Sequence, residues 1–133
     1  MAISPRCGLA KEERICSRKL IEQLFNGSGS KSMSAFPLRM VYMPVVPEAG
    51  QPMARMMVSV SKRHFKHAVD RNRVKRQVRE AYRRNKHILA EGEVARGVAM
   101  AFLWIDGRLH ETDEVEAKVR KLLVRLKERL CND

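Results

Sequence analysis

The sequence predicts an α+β fold: a single-domain α/β sandwich with the element order α–β–β–α–β–α. Three observations predict it. Apolar residues recur at helical spacing in three segments, short β-prone runs lie between those segments, and turn residues separate the runs. At 133 residues, 44% of them apolar, the chain has the size of one globular domain spanning 1–133, and it can bury a core without metals or disulfides.

The N-terminal part predicts an irregular lead-in followed by an amphipathic helix. Residues 1–13 contain a proline and a glycine that break helices, and we expect them to be irregular. An apolar stripe follows at helical spacing, with Ser17 placed to cap the helix and Asn26-Gly27 placed to end it. The stripe consists of Ile15, Leu20, Ile21, Leu24 and Phe25.

Two strands are predicted in the middle of the chain. Segment 26–34, rich in Gly and Ser, is expected to be a flexible loop, and residues 36–43 the first strand. A turn-rich connection over 45–52 leads to the second strand, 54–61, whose alternation places Met56, Val58 and Val60 on one face. Because the strands are close in sequence and joined without a helix, we expect them to pair antiparallel.

The second half predicts a long helix, a buried strand and a final helix. The long helix is expected from about Ala68 to Ala90, and the continuous apolar run 98–105 is typical of a strand covered on both faces. Asp113 and Glu116 have the spacing of a capping box, which predicts the start of the last helix. Its apolar stripe comprises Val115, Val119, Leu122, Leu126 and Leu130.

Positive charge is concentrated in residues 62–86. This segment has eleven Lys or Arg against two acids, and so carries +9 of the chain's net +12. The rest is nearly balanced, with sixteen bases against thirteen acids. Such a concentration indicates a polyanionic partner.

Viewed end-on at about 100° per residue, the basic helix divides into three faces. The face expected to meet the core comprises Val74, Val78, Ala81, Tyr82, Asn85, Ile88 and Leu89. The neighbouring arc, which we call the basic stripe, comprises Asn72, Lys75, Arg76, Arg79, Arg83 and Lys86 and includes no acid. The third face carries Arg73, Gln77, Glu80, Arg84 and His87. Cations that repel at i, i+4 with no acid among them predict a polyphosphate ligand and salt-dependent binding.

RNA is the polyanion that the helix fits best. Its apolar face is short and lacks Trp and Phe, which argues against a membrane surface, and DNA-binding motifs are absent from the sequence. Arg and Asn side chains suit folded RNA, where phosphates and base edges lie side by side. We therefore expect an RNA partner, with neither DNA nor a membrane.

Cysteine usage and apolar runs point to the cytoplasm. Cys7, Cys16 and Cys131 are scattered, form no zinc-site spacing and fit a reducing compartment. The longest apolar run is far short of the ~20 residues of a membrane span. We predict no catalytic residue and no metal site, since Asp113 and Glu114 are explained by the start of a helix.

One segment resembles a known family. Residues 58–63 form a strand that ends in basic residues, and 68–80 then have the pattern A-V-x-R-N-R-x-K-R-x-x-R-E. This combination strongly resembles the protein subunit of bacterial ribonuclease P, and weaker similarity extends over nearly the whole chain. The resemblance implies an α+β sandwich in which a left-handed βαβ crossover holds the basic helix.

The resemblance also implies a function. Members of this family bind a large catalytic RNA and the 5′ leader of precursor tRNA, and they assist endonucleolytic removal of the leader to give mature tRNA 5′ ends. The RNA subunit does the chemistry with Mg²⁺ held by RNA and substrate, so no cofactor is expected on the protein. Two alternatives remain at this point: a generic RNA-binding or ribosome-associated module, and a nuclease with its own active site.

Site residues follow from the matched motif. The RNA-binding set is Lys62, Arg63, Arg71, Asn72, Arg73, Lys75, Arg76 and Arg79, and the stripe adds Arg83 and Lys86; projection places Arg73 at the flank. The leader cleft that the resemblance implies has Ile21 and Phe25 on the first helix. The first strand adds Phe36, Leu38, Met40 and Tyr42 where their side chains face the cleft, since one register shift reverses the facing, and core packing is the default for Leu38 and Met40. Ile21 stands where the family commonly has an aromatic residue, which weakens the expected stacking. The family's Gly before the signature is also missing, so the turn is expected to close differently, with Phe65 exposed near RNA.

Overall fold

A four-stranded mixed sheet with helices on both faces forms the centre of the molecule. The computed structural model describes residues 15, 18–26, 29–45, 54–90 and 97–132. Its elements are α1 (Arg18–Asn26), β1 (Lys31–Ala35), β2 (Leu38–Val45), β3 (Ala54–Val60), α2 (Ala68–Asn85), α3 (His87–Ala90), β4 (Gly97–Trp104) and α4 (Thr112–Asn132). The predicted lead-in 1–13, the cap at Ser17, the helix end at Gly27 and most of the 45–52 connection lie outside the described residues.

The strand order is β1-β2-β4-β3, so the expected pairing of β2 with β3 is wrong. β4 lies between them, antiparallel to β2 and parallel to β3. The physical reason is burial: β4 is apolar along nearly its whole length, and a central position covers both of its faces. The chain passes from β3 through α2 to the parallel β4, which confirms the βαβ crossover; its hand stays a prediction.

A strand also occupies part of the predicted loop 26–34. β1 forms a hairpin with β2, in register from Lys31 opposite Tyr42 to Ala35 opposite Leu38. Met33 and Ala35 point into the core while Ser32 and Ser34 face outward, so the segment has the alternation of a half-buried strand. Its Ser content concealed that pattern, and the residues predicted to open the first strand, Phe36 and Pro37, form the turn.

β4 contributes to two apolar cores, one on each face of the sheet. Met100, Phe102 and Trp104 point into the larger core, which α2 and α4 cover. Ala99 and Ala101 point into the smaller core, where they meet Leu24 of α1 and Ile15. The prediction of a strand covered on both faces is confirmed.

The helices largely match their predicted apolar stripes. In α4, Val115, Val119, Leu122 and Leu126 are fully buried and Leu130 packs against them. α4 begins at Thr112, so Asp113 lies inside the first turn and does not cap the helix. The long helix is interrupted at Lys86, which separates α2 from the short α3.

Candidate RNA interface

α2 buries one face and presents the basic stripe on another. Val74, Val78, Ala81, Tyr82 and Asn85 are buried, which confirms the predicted core face. Asn72, Arg76 and Arg79 are exposed, and Lys75, Arg83 and Lys86 are half-buried. The helix therefore holds the cations of the stripe on a rigid element, outside the core.

The helical projection predicted a basic stripe with no acid in it, but in the structure one carboxylate reaches a residue of the stripe. Glu80, placed on the third face, reaches one turn along the helix and accepts a hydrogen bond from Arg83 Nε to its Oε2 at 3.0 Å. Arg84 Nε lies 3.4 Å from its other oxygen, and the hydrogen bond from Arg83 is the largest cause of a lowered pKa for the Glu80 carboxyl. Among the described residues, no carboxylate pairs with Lys75, Arg76 or Arg79. Within the described part of the chain, no carboxylate therefore competes with an external anion for these three side chains.

Arg71 closes the turn before α2. Its Nη1 donates to the carbonyl oxygens of Phe65 at 2.8 Å and Lys66 at 3.1 Å. Phe65 is only 7% exposed and belongs to the larger core, so its expected exposure near RNA is wrong. A guanidinium and a buried aromatic ring therefore hold the turn in which the family's Gly is missing.

Polar contacts join α2 to α4. Gln77, expected on the third face, is buried, and its Nε2 donates to His110 O at 3.0 Å and Thr112 Oγ1 at 3.1 Å. At the other end of α2, Arg120 Nε donates to Asn85 Oδ1 at 3.1 Å, and Glu116 bridges Arg120 and Arg84. These contacts orient the helix so that the stripe points away from α4.

A groove lies between α1 and the sheet, on the face opposite α2. Its volume is about 310 Å³. At one end, the Ser30 hydroxyl donates to Leu24 O at 2.7 Å, which fixes the end of α1 beside the start of β1. Its lining comprises Leu24, Phe25, Ser30, Lys31, Ser32, Arg39, Val41 and Leu103. The groove thus combines an exposed aromatic ring, apolar strand residues and two cationic side chains.

Three residues of the predicted leader cleft lie on the wrong face of the sheet. Leu38, Met40 and Tyr42 are at most 3% exposed and belong to the larger core. Alternation along β2 places Arg39 and Val41 in the groove instead, because a shift of one residue exchanges the two faces.

The other three predicted cleft residues lie outside the larger core. Phe25 is 44% exposed and lines the groove, while Ile21 packs half-buried against the smaller core. Phe36 is 57% exposed in the β1–β2 turn, beyond the groove. Sequence reasoning missed Arg39; strict alternation counted from a known buried residue of β2 would have found it.

Comparison of the sequence with known proteins identifies its family. The family model described as Ribonuclease P matches residues 9–127. The ribonuclease P protein component of Porphyromonas gingivalis strain W83 is 41% identical over 128 residues, covering 95% of this chain and 91% of that protein. The chain belongs to the ribonuclease P protein family. The ribonuclease P protein component of Chlorobium phaeobacteroides is 37% identical over 83 residues, 61% of this chain and 56% of that protein.

Solved structures of ribonuclease P proteins share the fold. The protein from Thermotoga maritima superposes with a TM-score of 0.64 at 23% identity, covering 85% of this chain and 96% of that one. The Staphylococcus aureus protein superposes with a TM-score of 0.62 at 16% identity, covering 86% and 94%. At these identities the likeness shows the α+β architecture, as predicted.

Family membership confirms the predicted role in tRNA 5′ processing. The chain is the protein component of ribonuclease P, the ribonucleoprotein endoribonuclease of tRNA 5′ processing. This favours the main prediction over a generic RNA-binding module and over a nuclease with its own active site. In the described part of the chain, no helix is long and apolar enough to cross a membrane.

The acids near the start of α4 are engaged with a histidine. His110 Nε2 lies 2.7 Å from Asp106 Oδ2, and its Nδ1 contacts Glu114 Oε2. The hydrogen bond with Asp106, followed by that with Glu114, raises the pKa of His110, and the same hydrogen bond lowers the pKa of Asp106. Because a carboxylate faces each ring nitrogen, the doubly protonated imidazolium fits best. No group of three or more His, Cys, Asp or Glu among the described residues could hold a metal ion.

Proposed function

We propose that this ribonuclease P protein binds the catalytic RNA through the basic stripe and receives the 5′ leader of precursor tRNA in the groove. The observation that carries the proposal is the flank of α2 on which Lys75, Arg76 and Arg79 have no carboxylate partner among the residues that the structure describes. Phosphates relieve the mutual repulsion of such cations and release counterions on binding.

The stripe supports binding to a large, folded RNA. Arg76 and Arg79 are exposed, and guanidinium groups can bond phosphate oxygens in pairs. Asn72 adds an amide that can reach base edges or sugars. Lys62, Arg63 and Arg73 extend the cationic surface around the start of α2; all three are exposed. Arg71 donates two hydrogen bonds to the turn before α2 and so helps to fix the backbone on which this surface stands.

The groove supports binding to a single strand. Phe25 offers one ring for stacking on a base, while Lys31 and Arg39 offer charge to the backbone. With Ile21 half-buried against the sheet, α1 offers only one ring, so within the groove the leader is held by phosphate contacts together with a single stacked base.

Chemistry is assigned to the RNA. We propose that Mg²⁺ acts through the catalytic RNA and the substrate, and that the protein raises the affinity for precursor tRNA without supplying a catalytic group. Asp113 and Glu114 lie in the first turn of α4, where a helix N-terminus favours acids.

The experiment compares two substrates with the reconstituted holoenzyme. Precursor tRNA with its leader is expected to bind more tightly than mature tRNA, and Arg39→Gln or Phe25→Ala is expected to reduce this difference. Lys121→Gln, which removes an exposed charge on α4, serves as the control. If both groove variants bind precursor as well as the wild type does, the groove is not the leader site.

A further inference from the structure

Two aromatic rings of this chain are exposed, one on α1 and one in the turn between β1 and β2. Of the seven Phe, Trp and Tyr residues, five are buried. Phe25 lines the groove, whereas Phe36 lies in the β1–β2 turn and is 57% exposed. At about 3.3 Å per strand residue, Phe36 lies ~13 Å along the hairpin beyond Ser32, which lines the groove.

Phe36 is braced from one side. The His110 ring packs against it nearly perpendicularly, with 6.2 Å between ring centroids, and against Trp104 at 5.3 Å. Asp106 and Glu114 hold the His110 ring at both nitrogens. The exposed ring therefore stands on an ordered support, and stacking on it costs little conformational entropy.

The surroundings of Phe36 suit a nucleic acid strand. Residues 31–45 include Lys31 and Arg39 and no acid. Arg125 of α4 donates to Ser34 O at 3.0 Å, which adds a cation beside the turn. An exposed ring flanked by cations is the usual platform for an unpaired base. Arg39 belongs to the groove and lies three residues from Phe36, whereas the Phe36 ring packs against His110 on the side of the sheet that α4 covers. A strand that occupies both sites therefore passes around the β1–β2 turn.

We propose that Phe36 is a second stacking site, outside the groove, for an unpaired base of the same RNA strand. This inference rests on the proposed binding of the leader in the groove. It assigns two separate bases of the leader to two rings, one to Phe25 and one to Phe36, with Arg39 on the backbone between them.

The test uses holoenzyme and precursor tRNAs that each have one abasic nucleotide, moved along the leader. In the wild type, two leader positions are expected to lose affinity when abasic. Phe36→Ala is expected to weaken binding of the intact precursor about 5- to 150-fold, the range for one lost stack. It should also abolish the abasic effect at one position, while Phe25→Ala abolishes it at the other.

Two further variants serve as controls for the effect of Phe36→Ala on precursor binding. Phe36→Trp keeps a stacking ring and should bind precursor like the wild type. Leu109→Ala removes another exposed apolar side chain, from the connection between β4 and α4, and should not change binding of precursor tRNA. Because Phe36 is mostly exposed, Phe36→Ala should unfold at the wild-type temperature.

Three outcomes would overturn the inference. If Phe36→Ala matches the wild type while Phe25→Ala weakens binding, the second site is absent although the leader groove stands. If both variants act at the same abasic position, there is one stack and not two. If Phe36→Ala changes self-association in sedimentation but not RNA binding, the exposed ring serves a protein contact.

Discussion

Removing cations from the basic stripe should change how steeply RNA binding depends on salt. Each phosphate contact contributes about 0.7 to 0.9 to the slope of log affinity against log salt. Arg76 and Arg79 are exposed and have no carboxylate partner among the described residues, so each is available for one contact. Arg76→Ala or Arg79→Ala should therefore lower the slope by nearly one unit, and the double variant by about 1.4 to 1.8.

The corresponding change in affinity is large enough to measure. When salt is raised from 50 to 200 mM, one phosphate contact accounts for an about threefold loss of RNA affinity, and two contacts for an about tenfold loss. The assay is equilibrium binding of the protein to ribonuclease P RNA at four or more salt concentrations. Because these two side chains make no ion pair with any described residue, the variants should retain wild-type stability.

Lys121→Ala provides the matched control, since it removes one exposed positive charge from α4, away from the stripe. Its slope should equal that of the wild type. An unchanged slope in the Arg76→Ala, Arg79→Ala double variant would refute the stripe, as would a control that changes the slope equally.

Three further predictions concern the supports of the interface. Arg71→Ala should destabilise the fold by about 1.5 to 3 kcal/mol in urea unfolding, because two charge-assisted hydrogen bonds to the turn are lost; a loss below about 0.5 kcal/mol would show that the turn closes without them. Gln77→Ala should lower the free energy of unfolding by about 1 to 2 kcal/mol, because the hydrogen bonds to His110 and Thr112 at the start of α4 are lost. Backbone amides near Thr112 should exchange faster in this variant, and unchanged exchange would contradict the link. Because the pKa of His110 is raised, its contribution to stability is complete below about pH 6.5 and is lost as the pH rises through the folded-state pKa. The free energy of unfolding measured across this window should therefore fall with pH in the wild type and stay constant in His110→Gln. Parallel curves for the two proteins would contradict a charged His110 held between Asp106 and Glu114.

Local periodicity was sufficient for the core faces of the helices. Val74, Val78 and Tyr82 follow the 3.6-residue spacing, so their burial could be predicted from the sequence. Gln77 could not, because its burial depends on the carbonyl of His110, which is 33 residues away. Glu80 was misjudged because its side chain is long enough to cross between faces of the helix.

Local sequence patterns could not predict which strands pair, or which face of the sheet each side chain of β2 occupies. The position of β4 between β2 and β3 depends on competition for burial among distant segments, which adjacency in sequence does not report. The cleft prediction failed at Leu38, Met40 and Tyr42 because register determines facing, and register was set by β1, which had been predicted as a loop. Arg71, predicted from the motif alone, turned out to support the turn, which no spacing pattern reveals.

The most direct test of the central claim is cleavage of precursor tRNA by the catalytic RNA at low magnesium. Purified wild-type protein should restore cleavage there, Lys121→Ala should do the same, and the Arg76→Ala, Arg79→Ala double variant should require a higher protein concentration. A non-catalytic, RNA-binding role is contradicted if the protein fails to restore cleavage, or if protein alone cleaves the substrate and loses that activity in Asp113→Asn or Glu114→Gln.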